Sequence, residues 1–90
     1  MPEIRDIIQS GDQIILRRTY RYGPVYKIDH KVKYIGEKGR ALLLQKESIG
    51  GGLPGTNFFM PRAFLDFKET NLASRPVVIQ IPQWYKIPKS

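Results

Sequence analysis

Between residues 13 and 35 the side chains alternate with a period of two, a pattern that fits a strand and not a helix. From residue 25 to residue 35, one set comprises Tyr26, Ile28, His30, Val32 and Tyr34, and the other Val25, Lys27, Asp29, Lys31, Lys33 and Ile35. The preceding run divides in the same way, Ile14, Leu16, Arg18, Tyr20 and Tyr22 against Gln13, Ile15, Arg17, Thr19 and Arg21. Such alternation marks half-buried antiparallel strands. Gly23-Pro24 separates the runs and reads as a turn, so a hairpin is expected. With the apolar sets turned inward, Arg17, Arg21, Lys27, Lys31 and Lys33 project outward together, and Arg18 falls on the other side.

Charge follows the same stretch. Residues 17–46 hold nine of the fifteen Lys and Arg, opposed only by Asp29 and Glu37, so they carry the whole net charge of +7. Four of the five tyrosines, Tyr20, Tyr22, Tyr26 and Tyr34, lie there too. A basic balance of this kind attracts nucleic acid, an anionic membrane surface or an acidic protein; the plainer reading is a solvated face that keeps a small chain soluble. Ninety residues predict one domain with a modest core, burying roughly 60–65% of the unfolded surface. With no cysteine, disulfides and thiolate metal sites are excluded. No apolar run reaches the roughly 18–20 residues of a membrane span, and residues 1–12 do not read as a secretory signal. A soluble cytoplasmic protein, without membrane association, is expected.

The other elements read as follows. Residues 2–9 predict a short helix, with Ile4, Ile7 and Ile8 on one face and Ser10-Gly11 ending it; an extended arm is the competing reading. Residues 36–39 form a turn with two glycines. Residues 41–45 are a third strand whose unbroken apolar run points to burial on both faces. Residues 46–57, with three consecutive glycines and Pro54-Gly55, predict the longest and most mobile loop. Residues 58–67 are either an edge strand broken at Pro61 or a strand leading into a helical turn there. Residues 68–76 form a polar connection, and residues 77–81 a last strand closed by Pro82. Trp84 and Tyr85 are expected to fold back on the body, and the final four residues to fray.

Five short strands, glycine-rich turns and little helix predict a mostly β domain over residues 1–90, built as a small barrel or sandwich. The turn-linked meander that begins with Gly11-Asp12 and an apolar strand resembles an SH3-like barrel of the type found in KOW-containing proteins, over roughly residues 11–67. The resemblance implies a five-stranded barrel; an OB-fold is the alternative architecture. In the second half, GRALLLQ followed by FFMPRAFL and VVIQIPQWYKIPK is similar in order to small proteins of phages and mobile elements, which implies a setting but no mechanism.

Markers of catalysis are absent. The GGGLPGT segment lacks the Lys that a phosphate-binding loop places after its final glycine, since Gly55 is followed by Thr56 and Asn57. His30 is the single histidine; without Cys it makes no typical zinc site, and it reads as structural or interfacial. Glu3, Asp6, Asp12, Asp29, Glu37, Glu47, Asp66 and Glu69 show no paired motif. No enzymatic activity and no cofactor are expected. Tyrosines interleaved with cations are what single-stranded nucleic acid uses, rings stacking on bases while Lys and Arg track phosphates. Alternation assigns Tyr26 and Tyr34 to packing and leaves Tyr20 and Tyr22, near the turn, for contact. Phe58, Phe59, Phe64, Phe67 and Trp84 are expected in the core.

The sequence thus points to a non-enzymatic nucleic-acid-binding protein. Arg17, Arg21, Lys27, Lys31 and Lys33 would meet phosphates from the hairpin face, Lys38 and Arg40 would add contacts from the following turn, and Tyr22 would offer a ring. Sequence preference would be weak and salt dependence strong. The alternative is a protein-docking module or subunit, such as a phage or mobile-element regulator, whose basic face takes an acidic partner.

Overall fold

The alternation is realised in the computed structural model, which describes residues 4–47, 55–65 and 75–88, with the backbone alone at Arg5. Five strands form one sheet in the order β4-β3-β2-β1-β5: β1 Gln13–Tyr20, β2 Tyr26–Lys38, β3 Ala41–Lys46, β4 Asn57–Pro61 and β5 Val77–Ile81. The first four make an antiparallel meander, and β5 crosses over to lie parallel to β1.

One face of this sheet carries the core. Ile14 and Leu16 of β1, Val32 and Tyr34 of β2, Leu42 and Leu44 of β3, Phe58 and Met60 of β4, and Val77, Ile79 and Ile81 of β5 are all buried. The run in β3 is not buried on both faces: Leu42 and Leu44 point in, while Ala41 and Leu43 are half-buried on the other side. A single helical turn, α1 Ile4–Ile7, caps one end of the core, with Ile4 and Ile8 buried four residues apart and Ile7 packed beside them. The helix expected over residues 2–9 ends earlier, at Ile7, and its residues 2–3 lie outside the described residues. Asp12 anchors the exit from this turn: its Oδ2 accepts from the Gln9 amide at 2.9 Å, and its carbonyl accepts from the Tyr34 amide at 2.8 Å. Gly11, at φ +96°, supplies a left-handed backbone that a side chain would disfavour.

Several expectations change. The turn after β2 is not at residues 36–39. β2 continues to Lys38, the chain reverses at Gly39-Arg40, and a β-bulge interrupts pairing between Tyr34 and Gly36. Gly36 thus serves the bulge and Gly39, at φ +61°, serves the turn. β4 ends at Pro61, whose missing N–H stops a ladder, and a 3-10 turn follows over Arg62–Phe64; this is the second of the two alternatives. The loop expected over residues 46–57 is shorter at both ends, Lys46 belonging to β3 and Asn57 to β4; its residues 48–54 lie outside the described residues, as do Phe67 and the polar connection apart from Arg75 and Pro76.

The expected barrel is not closed by strand pairing. β4 and β5 stand at opposite edges of the sheet, and among the described residues no ladder joins them. β5 spends its ladder on β1, and the 3-10 turn takes the chain away from β4. The C-terminal segment spans the inner side instead. The Tyr85 hydroxyl donates to the Phe59 carbonyl on β4 at 2.7 Å, and the Tyr85 carbonyl accepts from the Arg18 guanidinium on β1. Of the four final residues expected to fray, Ile87 packs against the core, and residues 89–90 lie outside the described residues.

The hairpin outruns the core. Pairing of β1 with β5 ends at Arg18↔Ile81, and pairing of β2 with β3 begins only at Val32↔Lys46. The pairs Thr19↔Lys27 and Tyr20↔Tyr26 therefore stand as a two-stranded arm. This is why Tyr26, expected in the core, is 51% exposed although it lies on the inward-facing set; Ile28, level with the last β1–β5 pair but beyond the end of β3, is 40% exposed. Tyr26 stacks on Tyr20, ring centroids 4.9 Å apart at 15°.

Candidate functional site

The outward face of β1 and β2 collects the expected cations. Register places Lys27 opposite Thr19, Asp29 opposite Arg17, Lys31 opposite Ile15 and Lys33 opposite Gln13. All four β2 residues are exposed and share one face. Strand geometry spaces Lys27 from Lys31 by ~13 Å and Lys31 from Lys33 by ~7 Å. Arg21 and Tyr22 follow β1 at the tip of the arm, where Tyr22 is 78% exposed.

The bulge adds a cation to this face. Strict alternation after Lys33 would turn Ile35 and Glu37 outward and Lys38 inward. One unpaired residue reverses the parity, so Glu37 comes opposite the buried Leu42 and Lys38 opposite Ala41. Lys38 thereby joins the face of Lys31 and Lys33. It sits ~36 Å along the strand from Lys27, so the basic surface is a long strip and not a compact cluster. Arg40, in the turn, is exposed beside Arg62, and these two with Pro61 and Ala63 line a shallow depression at the far end of the sheet.

Arg17 differs from the other cations. Its Nε and Nη2 donate to the two carboxylate oxygens of Asp29 at 2.8 and 3.1 Å. This bidentate pair raises the Arg17 pKa above its ordinary value. The same hydrogen bonds hold Asp29 below the usual carboxylate range, with the charges of Arg17, Lys27 and His30 adding to the effect. Arg17 is therefore engaged within the protein, while Lys27, Lys31, Lys33 and Lys38 make no ion pair among the described residues. Glu47 is a second carboxylate on this face, accepting from Gln13 Nε2 at 2.5 Å.

Arg18 lies on the inner side, as alternation predicts, and has a structural task. Its guanidinium reaches Tyr20 Oη at 3.5 Å as well as the Tyr85 carbonyl, and its buried Nε has no hydrogen-bond partner among the described residues. His30, opposite Leu16, is half-buried on the same side. Burial first, and then the charges of Arg18 and Lys46, push its pKa below the ordinary value; Asp29 opposes them weakly. Among the described residues no three His, Asp or Glu side chains converge as a metal site would require.

The aromatic expectations divide. Phe58 is buried and Phe64 half-buried, but Phe59 is 51% exposed because it takes the outward position opposite Leu43. Trp84, also expected in the core, is 70% exposed. Pro82 ends β5, so residues beyond it have no ladder to fix their orientation, and no periodic signal could have placed the indole. It rests edge-on against Phe64, centroids 5.5 Å apart, and against Tyr85, 6.2 Å apart. Beside it lies a cleft of about 780 Å³ lined by Thr19, Arg21, Gln80, Gln83 and Trp84, with Phe64 behind. No helix among the described residues is long and apolar enough to cross a membrane. No protein-family model, curated protein or solved structure matches the chain.

Proposed function

We propose that the protein is a non-enzymatic nucleic-acid-binding module that holds phosphates along the outward face of the β1–β2 hairpin. The observation that carries this reading is the strip of Lys27, Lys31, Lys33 and Lys38 on one face of a single strand, none of them engaged in an ion pair among the described residues. Arg21 and Tyr22 extend it onto the arm, and Arg40 extends it at the other end. Arg17 contributes once Asp29 is displaced or neutralised. Phosphate contacts of this kind position a ligand without reading its sequence, so preference among sequences is weak. An SH3-like small barrel of KOW type, with an OB-fold as the alternative, remains the reading of the fold; what supports it is Tyr85, whose hydroxyl reaches Phe59 on β4 and whose carbonyl reaches Arg18 on β1. The setting is cytoplasmic.

The test is fluorescence anisotropy of labelled single-stranded DNA, duplex DNA and RNA at two salt concentrations, with a basic protein of matched charge as control. Binding well above the control, with a salt slope of several units, supports the reading; no binding at low salt sinks it.

A second reading has its own support. Val25 at the tip of the arm is 63% exposed and Ile28 at its base 40% exposed, apolar surface that a phosphate backbone does not need. A docking module for an acidic protein would use both the cations and these side chains, as a phage or mobile-element regulator of a host enzyme could. Generic oligonucleotides distinguish the two, because only the first reading has them bind.

A further inference from the structure

We infer that the cleft beside Trp84 receives an unstacked nucleobase, so that the ligand of the basic strip is single-stranded. This rests on the nucleic-acid reading and adds to it where the bases go. An indole 70% exposed on a 90-residue chain forfeits burial that a large aromatic ring normally contributes to a core. It is nevertheless held in place: Phe64 and Tyr85 contact it nearly perpendicularly, at 71° and 82°, which leaves a ring face for a ligand. Base stacking on such a platform tolerates any sequence, because every base has a π-face.

The cleft has the rest of what a nucleotide requires. Arg21, a cation at the tip of the arm, lines it and can meet a phosphate. Gln80 and Gln83 are oriented by Thr19: Gln80 Nε2 donates to Thr19 Oγ1 at 2.9 Å, and Gln83 Nε2 donates to the Thr19 carbonyl at 3.2 Å. Each amide keeps its oxygen as an acceptor for base or sugar groups. The cleft also continues the strip. Thr19, on its wall, is the cross-strand partner of Lys27, and directly opposed side chains start only about 5 Å apart. A backbone that follows Lys33, Lys31 and Lys27 therefore arrives at Arg21 with its base beside Trp84. A paired base cannot enter, since its face is already stacked within the duplex, so single strands are preferred.

Trp84 is the one tryptophan of the chain, so its emission reports on this cleft alone. The experiment titrates the protein with a labelled twelve-nucleotide single strand, as DNA and as RNA, and with the matching duplex, reading anisotropy and tryptophan emission together. The expected result is quenching that tracks single-strand binding, with Trp84→Ala weakening that binding by about 5- to 150-fold and Trp84→Phe by less. Arg21→Gln should flatten the single-strand salt slope by about 0.7. Single-strand binding without quenching, or with unchanged affinity in Trp84→Ala, overturns the inference and leaves the nucleic-acid reading standing. Equal or tighter binding of the duplex overturns it too. No anisotropy change with any oligonucleotide removes the nucleic-acid reading itself, and the inference with it.

Discussion

If the strip binds nucleic acid as proposed, Asp29→Asn should tighten that binding, because Asp29 occupies the guanidinium of Arg17. Both Arg17 hydrogen bonds to the carboxylate lie on the solvent side of the sheet, where such pairs contribute only ~0–1 kcal/mol to stability. The substitution is therefore nearly neutral for folding, and it removes an acidic charge from the middle of the strip. If Arg17 then takes a phosphate, one more counterion is released. The log–log salt slope steepens by about 0.9 on duplex DNA or 0.7 on a single strand. At 0.1 M salt that increment alone corresponds to roughly five- to eightfold tighter binding. Anisotropy titrations from 50 to 300 mM salt resolve both quantities. The double variant Arg17→Gln/Asp29→Asn should return the slope to that of the parent. An unchanged slope in Asp29→Asn would refute the placement of Arg17 beside the ligand. A loss in Arg17→Gln as large as in Lys31→Gln would refute the claim that the ion pair withholds it.

The remaining expectations are independent of that pair. Lys31→Gln/Lys33→Gln should flatten the salt slope by about 1.8 on duplex or 1.4 on a single strand with the thermal midpoint nearly unchanged; unaltered binding rules out the strip. Tyr85→Phe removes the hydroxyl that reaches Phe59 and should cost about 0.5–1.5 kcal/mol in urea denaturation, whereas no loss would mean the tail does not brace β4. His30 has a lowered pKa in the folded state, chiefly through burial, so the unfolded chain takes up its proton first as pH falls below about 6.5. Its contribution to stability is present above that pH and is lost on acidification, so the midpoint should drop between pH 7.5 and 5.5 and do so less in His30→Gln. A midpoint that rises on acidification would contradict the sign.

What the sequence made legible is what the ladder enforces. Ile14, Leu16, Val32 and Tyr34 are buried where alternation puts them, because a strand flanked on both sides must turn one set toward the core. Alternation is silent about where the core stops. Tyr26 and Ile28 keep the inward phase but lie beyond the end of β3, and Tyr26 beyond β5 as well, so phase alone overstates their burial. The bulge at Ile35 was hidden for a different reason. Two glycines around Glu37-Lys38 fit a turn as well as a bulge followed by a turn, and only the pairing of Gly36 with Leu43 separates them. Among the candidate contacts, the Lys27, Lys31 and Lys33 set follows from periodicity. The capture of Arg17 by Asp29 required the hairpin register, which no local pattern specifies. For Trp84, residue type alone suggests burial, whereas β5 ends before Pro82 and no ladder orients the indole.

The spacing of the strip reconciles its charge with the stability of a small sheet. Like charges close together on a sheet face destabilise, yet at physiological salt the repulsion between exposed charges is largely screened beyond about 8 Å. Lys27 and Lys31 are ~13 Å apart, beyond that length, and the residue between them on the same face is Asp29, opposite Arg17. Only Lys31 and Lys33, at ~7 Å, repel within the screening length, and they flank the well-paired centre of the sheet, where Val32 is buried between β1 and β3. Beyond the bulge, Lys38 is separated again by ~17 Å from Lys33. The free protein thus carries a row of cations at little mutual cost, whereas a polyanion laid along β2 would engage them all at once. That asymmetry between free and bound states is what a phosphate-tracking surface requires, and it follows from placing one lysine per two or more pleats of a single long strand.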